Sequence, residues 1–336
     1  MKPVFRSNLF AMILIITWIL GSLLFSLISG LLMIINIPIP YSIQVILPQI
    51  LFLFIPSLLY ILITDTKLKD TFRFYPLPIK SILFIIAFAL LIQPLMMFIS
   101  GIGNLFFSNP VDTMLENLKQ MPLSIMILMI GITPALFEEL AFRGVILSGY
   151  KNIPILKAAL MNGLFFGILH MNFQQFIYAF IMGILFTYLV EITGSIFSSM
   201  IAHFTINSSQ VLLSQFTLWT MKTHELDQLA DLTNPTLQNK LISIVSILPL
   251  VIIATPLAFL LLYYLSKNHN KSWYSLFPFK KANNATDSNT VQSINGENII
   301  TKKLSHEKIM TWPVYISIGI FVVVSIYIEV IFLLKF

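Results

Sequence analysis

The sequence predicts an all-α, polytopic transmembrane helix bundle of about eight to nine spans. Three observations predict it. The 336 residues are 57% hydrophobic and only 10% charged, with a mean hydropathy of +0.89, values outside the range of soluble domains. Nine apolar runs approach or exceed the roughly 20 residues that one crossing requires. The basic residues then divide unevenly between alternate loops. With the N-terminus placed in the cytoplasm, 15 Lys and Arg fall inside and 4 outside, with Arg143 left within a span.

In chain order, the first run covers about 9–35 and follows Met1-Lys2-Pro3-Val4-Phe5-Arg6, which superficially resembles a signal peptide. The run is too long for an h-region, so it is expected to be a retained span. Runs at 43–63 and 81–107 complete an N-terminal part over 1–120 with helices 1–3. Runs at 121–147, 155–170, 173–190 and 195–214 form a second part over 121–214 with helices 4–7. The last of these carries Ser195, Ser198, Ser199, His203, Thr205, Asn207, Ser208 and Ser209, so it belongs inside the bundle and away from lipid. The third part, 215–336, holds a segment at 216–241 suited to an outer surface helix, then a span at 243–265. A polar stretch at 267–309, rich in Asn, Ser, Thr and Lys, reads as a flexible cytoplasmic loop before a last span at 312–334. Asn284-Ala285-Thr286 has the form of a glycosylation triplet but falls on the predicted inner side.

Several classes are excluded. Cysteine is absent, which removes disulfides and thiolate metal sites. No basic stripe with interleaved aromatics points to nucleic acid. No His-Glu-x-x-His, Gly-x-Ser-x-Gly or phosphate-cradling glycine loop occurs. The Ile-, Asn- and Lys-rich composition points to an AT-rich bacterial genome, hence to a multi-pass protein of a bacterial cell membrane.

One stretch is costly for a lipid-facing helix: Pro134-Ala135-Leu136-Phe137-Glu138-Glu139-Leu140-Ala141-Phe142-Arg143. Each ionised group at the bilayer centre costs about 2.5–3.5 kcal/mol on insertion scales. Glu139 and Arg143 are four apart and can pair on one helical face. Glu138 is rotated by roughly 100° from Glu139 and is left to face something else. Pro134 invites a kink just ahead of both acids. His170 ends the fifth run, where Gly163 and Gly167 offer a flat face for close helix packing. His203 and Asn207 share a face of the seventh run. Taken singly, each has a plainer reading: a buried bridge, an interfacial histidine, interhelical hydrogen-bonding glue. Glu191 reads as interfacial, and Glu329 as an acid in the last span with no partner evident in the sequence.

Together, Glu138-Glu139-x-x-x-Arg143, Phe166-x-x-x-His170 and His203-x-x-x-Asn207 resemble the three motifs of the CAAX protease and bacteriocin-processing (CPBP, or Abi) family of intramembrane endopeptidases. The resemblance covers about 121–214, with no departure at the motif positions. The ninth span and the loop before it stand outside the family's usual eight-span arrangement. The resemblance implies hydrolysis of a peptide bond in a membrane-associated protein or peptide, with the active site inside the bundle. Bacterial members are linked to bacteriocin immunity and peptide maturation. It implies Glu138 as the catalytic carboxylate acting with His170 on water. His203 and Asn207 would polarise the scissile carbonyl, and Glu139 with Arg143 would be the supporting pair. The cofactor is open between Zn2+, with Glu138, His170 and His203 as ligands, and a metal-free glutamate mechanism.

Two rival readings stay open at this level. A proton-coupled transporter would use Glu138, Glu139 and His170 as an ion relay, though no inverted repeat is evident. A non-catalytic membrane binding protein would use the same residues as glue. There is also a mismatch in depth. Glu138 lies ~15 Å from the inner end of its span, whereas His170 lies ~22 Å beyond the inner start of its own. The fifth span must therefore tilt, begin deeper in the cytosol, or turn back within the membrane.

Overall fold

Two of the membrane helices widen immediately before a proline, and these widened turns shape the interior. The computed structural model describes residues 1–108, 121–223, 236–276 and 307–334. Helix α1 is Pro3–Ile34. Helix α2, Tyr41–Thr64, has a π-helical turn at Ile50–Phe54 just ahead of Pro56. A short α3, Leu68–Phe72, and the long α4, Ile79–Phe106, follow. Helix α5, Leu123–Ile146, has π turns at Ile127–Ile132, just ahead of Pro134, and at Leu140–Ile146, around Arg143. A proline has no N–H to give the carbonyl four residues back, so the turn before it opens. Thr133 fills part of that opening by donating its hydroxyl to Leu128 O at 2.6 Å.

Beyond α5 come α6, Ile155–Leu169, α7, Phe173–Thr193, and α8, Phe197–Thr223. The remainder is α9, Leu237–Asn268, a short α10, Trp273–Leu276, and α11, Trp312–Leu334. No strand occurs among the described residues, so the all-α bundle stands. Seven of these helices are long and apolar enough to cross a membrane. The two predicted spans outside that set are α6, only 15 residues long, and the serine-rich α8. Both are interior helices that carry site residues, which explains why they do not look like lipid-facing spans.

The ends of the helices sort into two faces. On the N-terminal face, buried Asn8 of α1 donates to Ile309 O at 2.8 Å and Thr311 Oγ1 at 2.9 Å, and accepts from the Tyr150 hydroxyl. Arg73, just after α3, pairs with Glu191 of α7 at 2.6 Å, and Ser81 of α4 meets His269 Nε2 at 2.9 Å. On the opposite face, Lys240 of α9 donates to Asn104 O at 3.0 Å. There the Ser108 N–H donates to the Glu329 carboxylate at 3.1 Å. Glu191 and Glu329, expected to be interfacial and partnerless respectively, are therefore both tied across the bundle. These pairings follow the alternation expected of nine passes.

Two interhelical segments differ at their edges from expectation. Helices α8 and α9 continue into 216–241, and α9 and α10 occupy 267–268 and 273–276. The rest of the expected surface helix and of the expected loop, including Asn284, lies outside the described residues. The expected close packing at Gly163 and Gly167 is present. A Cβ on Gly163 would sit 2.6 Å from Phe180 O, and one on Gly183 would sit 2.6 Å from the Gly163 Cα. Helices α6 and α7 thus touch backbone to backbone.

Candidate active site

The widened turn of α5 and the small residues of its neighbours bring the polar groups together. Gly131 has no side chain, and a Cβ there would lie 2.3 Å from Ser208 Oγ, so α8 approaches α5 closely at this level. That approach lets Asn207 Nδ2 donate to Ile130 O at 2.8 Å. Ile130 is four residues before Pro134, so its carbonyl has no backbone N–H at the usual helical position. One N–H of the Asn207 amide is engaged in this way, and its other N–H remains for a ligand.

Glu139 and Arg143 form the expected pair, and both are fully buried. Arg143 Nη1 donates to Glu139 Oε1 at 2.9 Å, while the guanidinium carbon lies 4.3 Å from the centroid of Phe166 and 5.1 Å from that of Phe186. Sandwiching between two aromatic faces compensates a buried cation that has left water. The same Glu139 oxygen lies 2.9 Å from His203 Nδ1. A carboxylate accepts, so Nδ1 carries the proton and His203 presents Nε2 away from Glu139.

His170 is set by a turn. Helix α6 ends at Leu169, Met171 takes φ 51°, and Asn172 caps α7 by accepting from the Gln175 N–H at 3.0 Å. At about 22 Å, α6 is a short helix, and the chain turns at His170 to run back along α7. The turn is enclosed by protein: Phe173 stacks near Phe107 and Phe321, and Gln174 donates to Ser100 Oγ at 2.7 Å. His170 Nδ1 lies 2.9 Å from Phe166 O, which can only accept, so His170 also presents Nε2.

Glu138, His170, His203 and Asn207 all line one cavity of about 200 Å³. Glu139 and Arg143 do not line it and stand behind it. The division of the two acids expected from helical spacing is thus realised in three dimensions. Glu138 lies within electrostatic range of His203 and of Tyr178.

Residues 120–209 match the family model described as type II CAAX prenyl endopeptidase Rce1-like. This part of the chain is similar to the Rce1-like endopeptidases of the CAAX protease family. The match covers less than a third of the chain and holds every motif residue named above. No curated protein and no solved structure matches.

The matched segment contributes most of the cavity wall, yet α2 and α4 lie outside the match and complete it with Gln49 and Met96. Gln49, Tyr178 and Gln210 are polar lining residues that the sequence reading missed. No spacing rule could have found them, because each meets the site only through helix packing. Glu138, His170 and His203, the three side chains expected as zinc ligands, all line the cavity. Among the described residues, no three His, Asp or Glu side chains converge closely enough to hold a metal ion.

Proposed function

We propose that the protein is an intramembrane endopeptidase that hydrolyses a peptide bond in a membrane-associated protein or peptide. The single observation carrying this reading is that Glu138, His170, His203 and Asn207, from three separate segments, line one cavity backed by the Glu139–Arg143 pair. A transporter relay would not need an amide donor beside two histidines whose Nε2 atoms are both left free by their Nδ1 partners.

In this reading Glu138 takes a proton from water, with His170 Nε2 holding that water by its lone pair. The water oxygen attacks the scissile carbonyl carbon. The resulting oxyanion accepts from the free N–H of Asn207, beside His203, which Glu139 holds in place through Nδ1. Glu138 then returns its proton to the leaving amine as the C–N bond breaks. Each of these steps uses only the chain's own side chains. The excess of basic residues in alternate loops supports a cytoplasmic N-terminus in a bacterial membrane, and maturation of a peptide or immunity to a bacteriocin is the biological role proposed there.

The test is peptide cleavage by purified Glu138→Gln protein beside wild type, with size-exclusion profiles showing both to be folded. Loss of cleavage with an unchanged profile is expected. Equal cleavage by the two proteins would sink the assignment.

A further inference from the structure

The cavity has a closed end and an open end. Towards the N-terminal face, every residue from Glu139 to Leu147 is buried. Phe142, Arg143, Val145 and Ile146 are each 0% exposed, so the floor beneath Glu138 is solid. Towards the opposite face, exposure rises along two of the helices that line the cavity. On α8 it goes from buried His203 and Ile206 to half-buried Asn207 and exposed Gln210. On α2, which runs the other way, it goes from buried Gln49 to half-buried Val45. On α5 the lining continues from Glu138 through Pro134 to Ile130, again away from the N-terminal face.

An independent observation concerns what would enter. Gln49 is 6% exposed and lines this passage, yet its buried Oε1 has no hydrogen-bond partner among the described residues. A buried amide oxygen left unpaired costs about 1–3 kcal/mol, and a peptide N–H is the group that would satisfy it. Between Gln49 and Gln210 the passage therefore offers amides, not charges, as suits an extended backbone.

We infer that the site is entered from the membrane face opposite the N-terminus, by an extended peptide segment whose backbone pairs with Gln49. With the N-terminus cytoplasmic, the substrate class is a peptide or protein segment presented on the extracytoplasmic side, and not the cytoplasmic tail of a lipidated protein. What enters rests on the peptidase reading. Where the opening lies does not.

The experiment uses the absence of cysteine from the full chain, so that an introduced residue is the sole thiol. Gln210→Cys, Val45→Cys and, as a marker of the N-terminal face, exposed Lys67→Cys are expressed separately and treated with a membrane-impermeant maleimide. Gln210→Cys and Val45→Cys are expected to label in intact cells, and Lys67→Cys only after permeabilisation. Labelling of the two mouth positions only from the same side as Lys67→Cys overturns the inference. So does their failure to label after permeabilisation while Lys67→Cys labels, and so does the reversed pattern. None of these readouts depends on cleavage, so the entry route can fail while the peptidase reading stands, and the reverse.

Discussion

Asn207 donates to Ile130 O at 2.8 Å, the carbonyl whose helical N–H partner Pro134 cannot supply. The residue assigned to the oxyanion thus also repairs the helix that carries the acids. Asn207→Ala should slow cleavage about 10²–10³-fold, and should lower stability by about 1–3 kcal/mol as the carbonyl loses its partner. Pro134→Ala restores a backbone N–H at that position. In the Pro134→Ala background, Asn207→Ala should lose little stability and still lose activity. Thermal unfolding and peptide cleavage across the double-mutant cycle separate the two roles. Recovery of activity together with stability would reduce Asn207 to glue.

Glu138 and Glu139 should fail differently. Glu138→Gln should leave the unfolding temperature near wild type and lower cleavage by about 10²–10⁴-fold, the usual contribution of a general base. The buried bonds of Arg143 and His203 go to Glu139, so the neighbouring substitution is structural in its first effect.

Glu139→Ala strands a fully buried guanidinium and should cost about 3–5 kcal/mol. Adding Arg143→Met removes the stranded charge and should recover most of that loss. Cleavage should not recover, because His203 Nδ1 still lacks its acceptor. Detergent-stable yield and thermal unfolding report the first effect, and cleavage reports the second.

Helix contact at the site can be tested at one glycine. Gly183→Ala places a methyl 2.6 Å from the Gly163 Cα, where only backbone could move. Overpacking of this kind costs about 1–3 kcal/mol, and it should also shift α7 against α6 and slow cleavage. Gly30→Ala, with nothing within 4 Å of the added methyl, is the matched control and should be neutral in both measurements.

Chelation gives a separate check on the chemistry. Because no three acidic or histidine side chains converge among the described residues, cleavage is expected to survive extended treatment with a zinc chelator. Loss of activity that zinc restores would show that Glu138, His170 and His203 close onto a metal after all.

Much of the bundle was legible because membrane insertion is decided locally. Each apolar run is judged by its own length and composition, so the predicted runs and the observed helices agree closely, as at 312–334 and Trp312–Leu334. The split of the acids was legible for a similar reason: the relation of Glu139 to Arg143 is set by helical pitch alone. The sharing of Glu139 between Arg143 and His203 was not legible, since it joins positions 64 residues apart. Nor was the partner of Glu329, which is the backbone N–H of Ser108, just beyond the end of α4.

By itself the sequence determined the membrane class, the span order, the seven motif residues and which acid pairs with Arg143. These follow from hydropathy and helical periodicity, both properties of contiguous residues. Only the tertiary structure decided that α6 turns back at His170, that Asn207 answers Ile130, and that Gln49, Tyr178 and Gln210 complete the cavity. Those depend on how closely helices can approach. That distance is set by where one helix's glycines, at 131, 163 and 183, happen to meet another helix's backbone or side chains, a matter of pairing that no single run of residues contains.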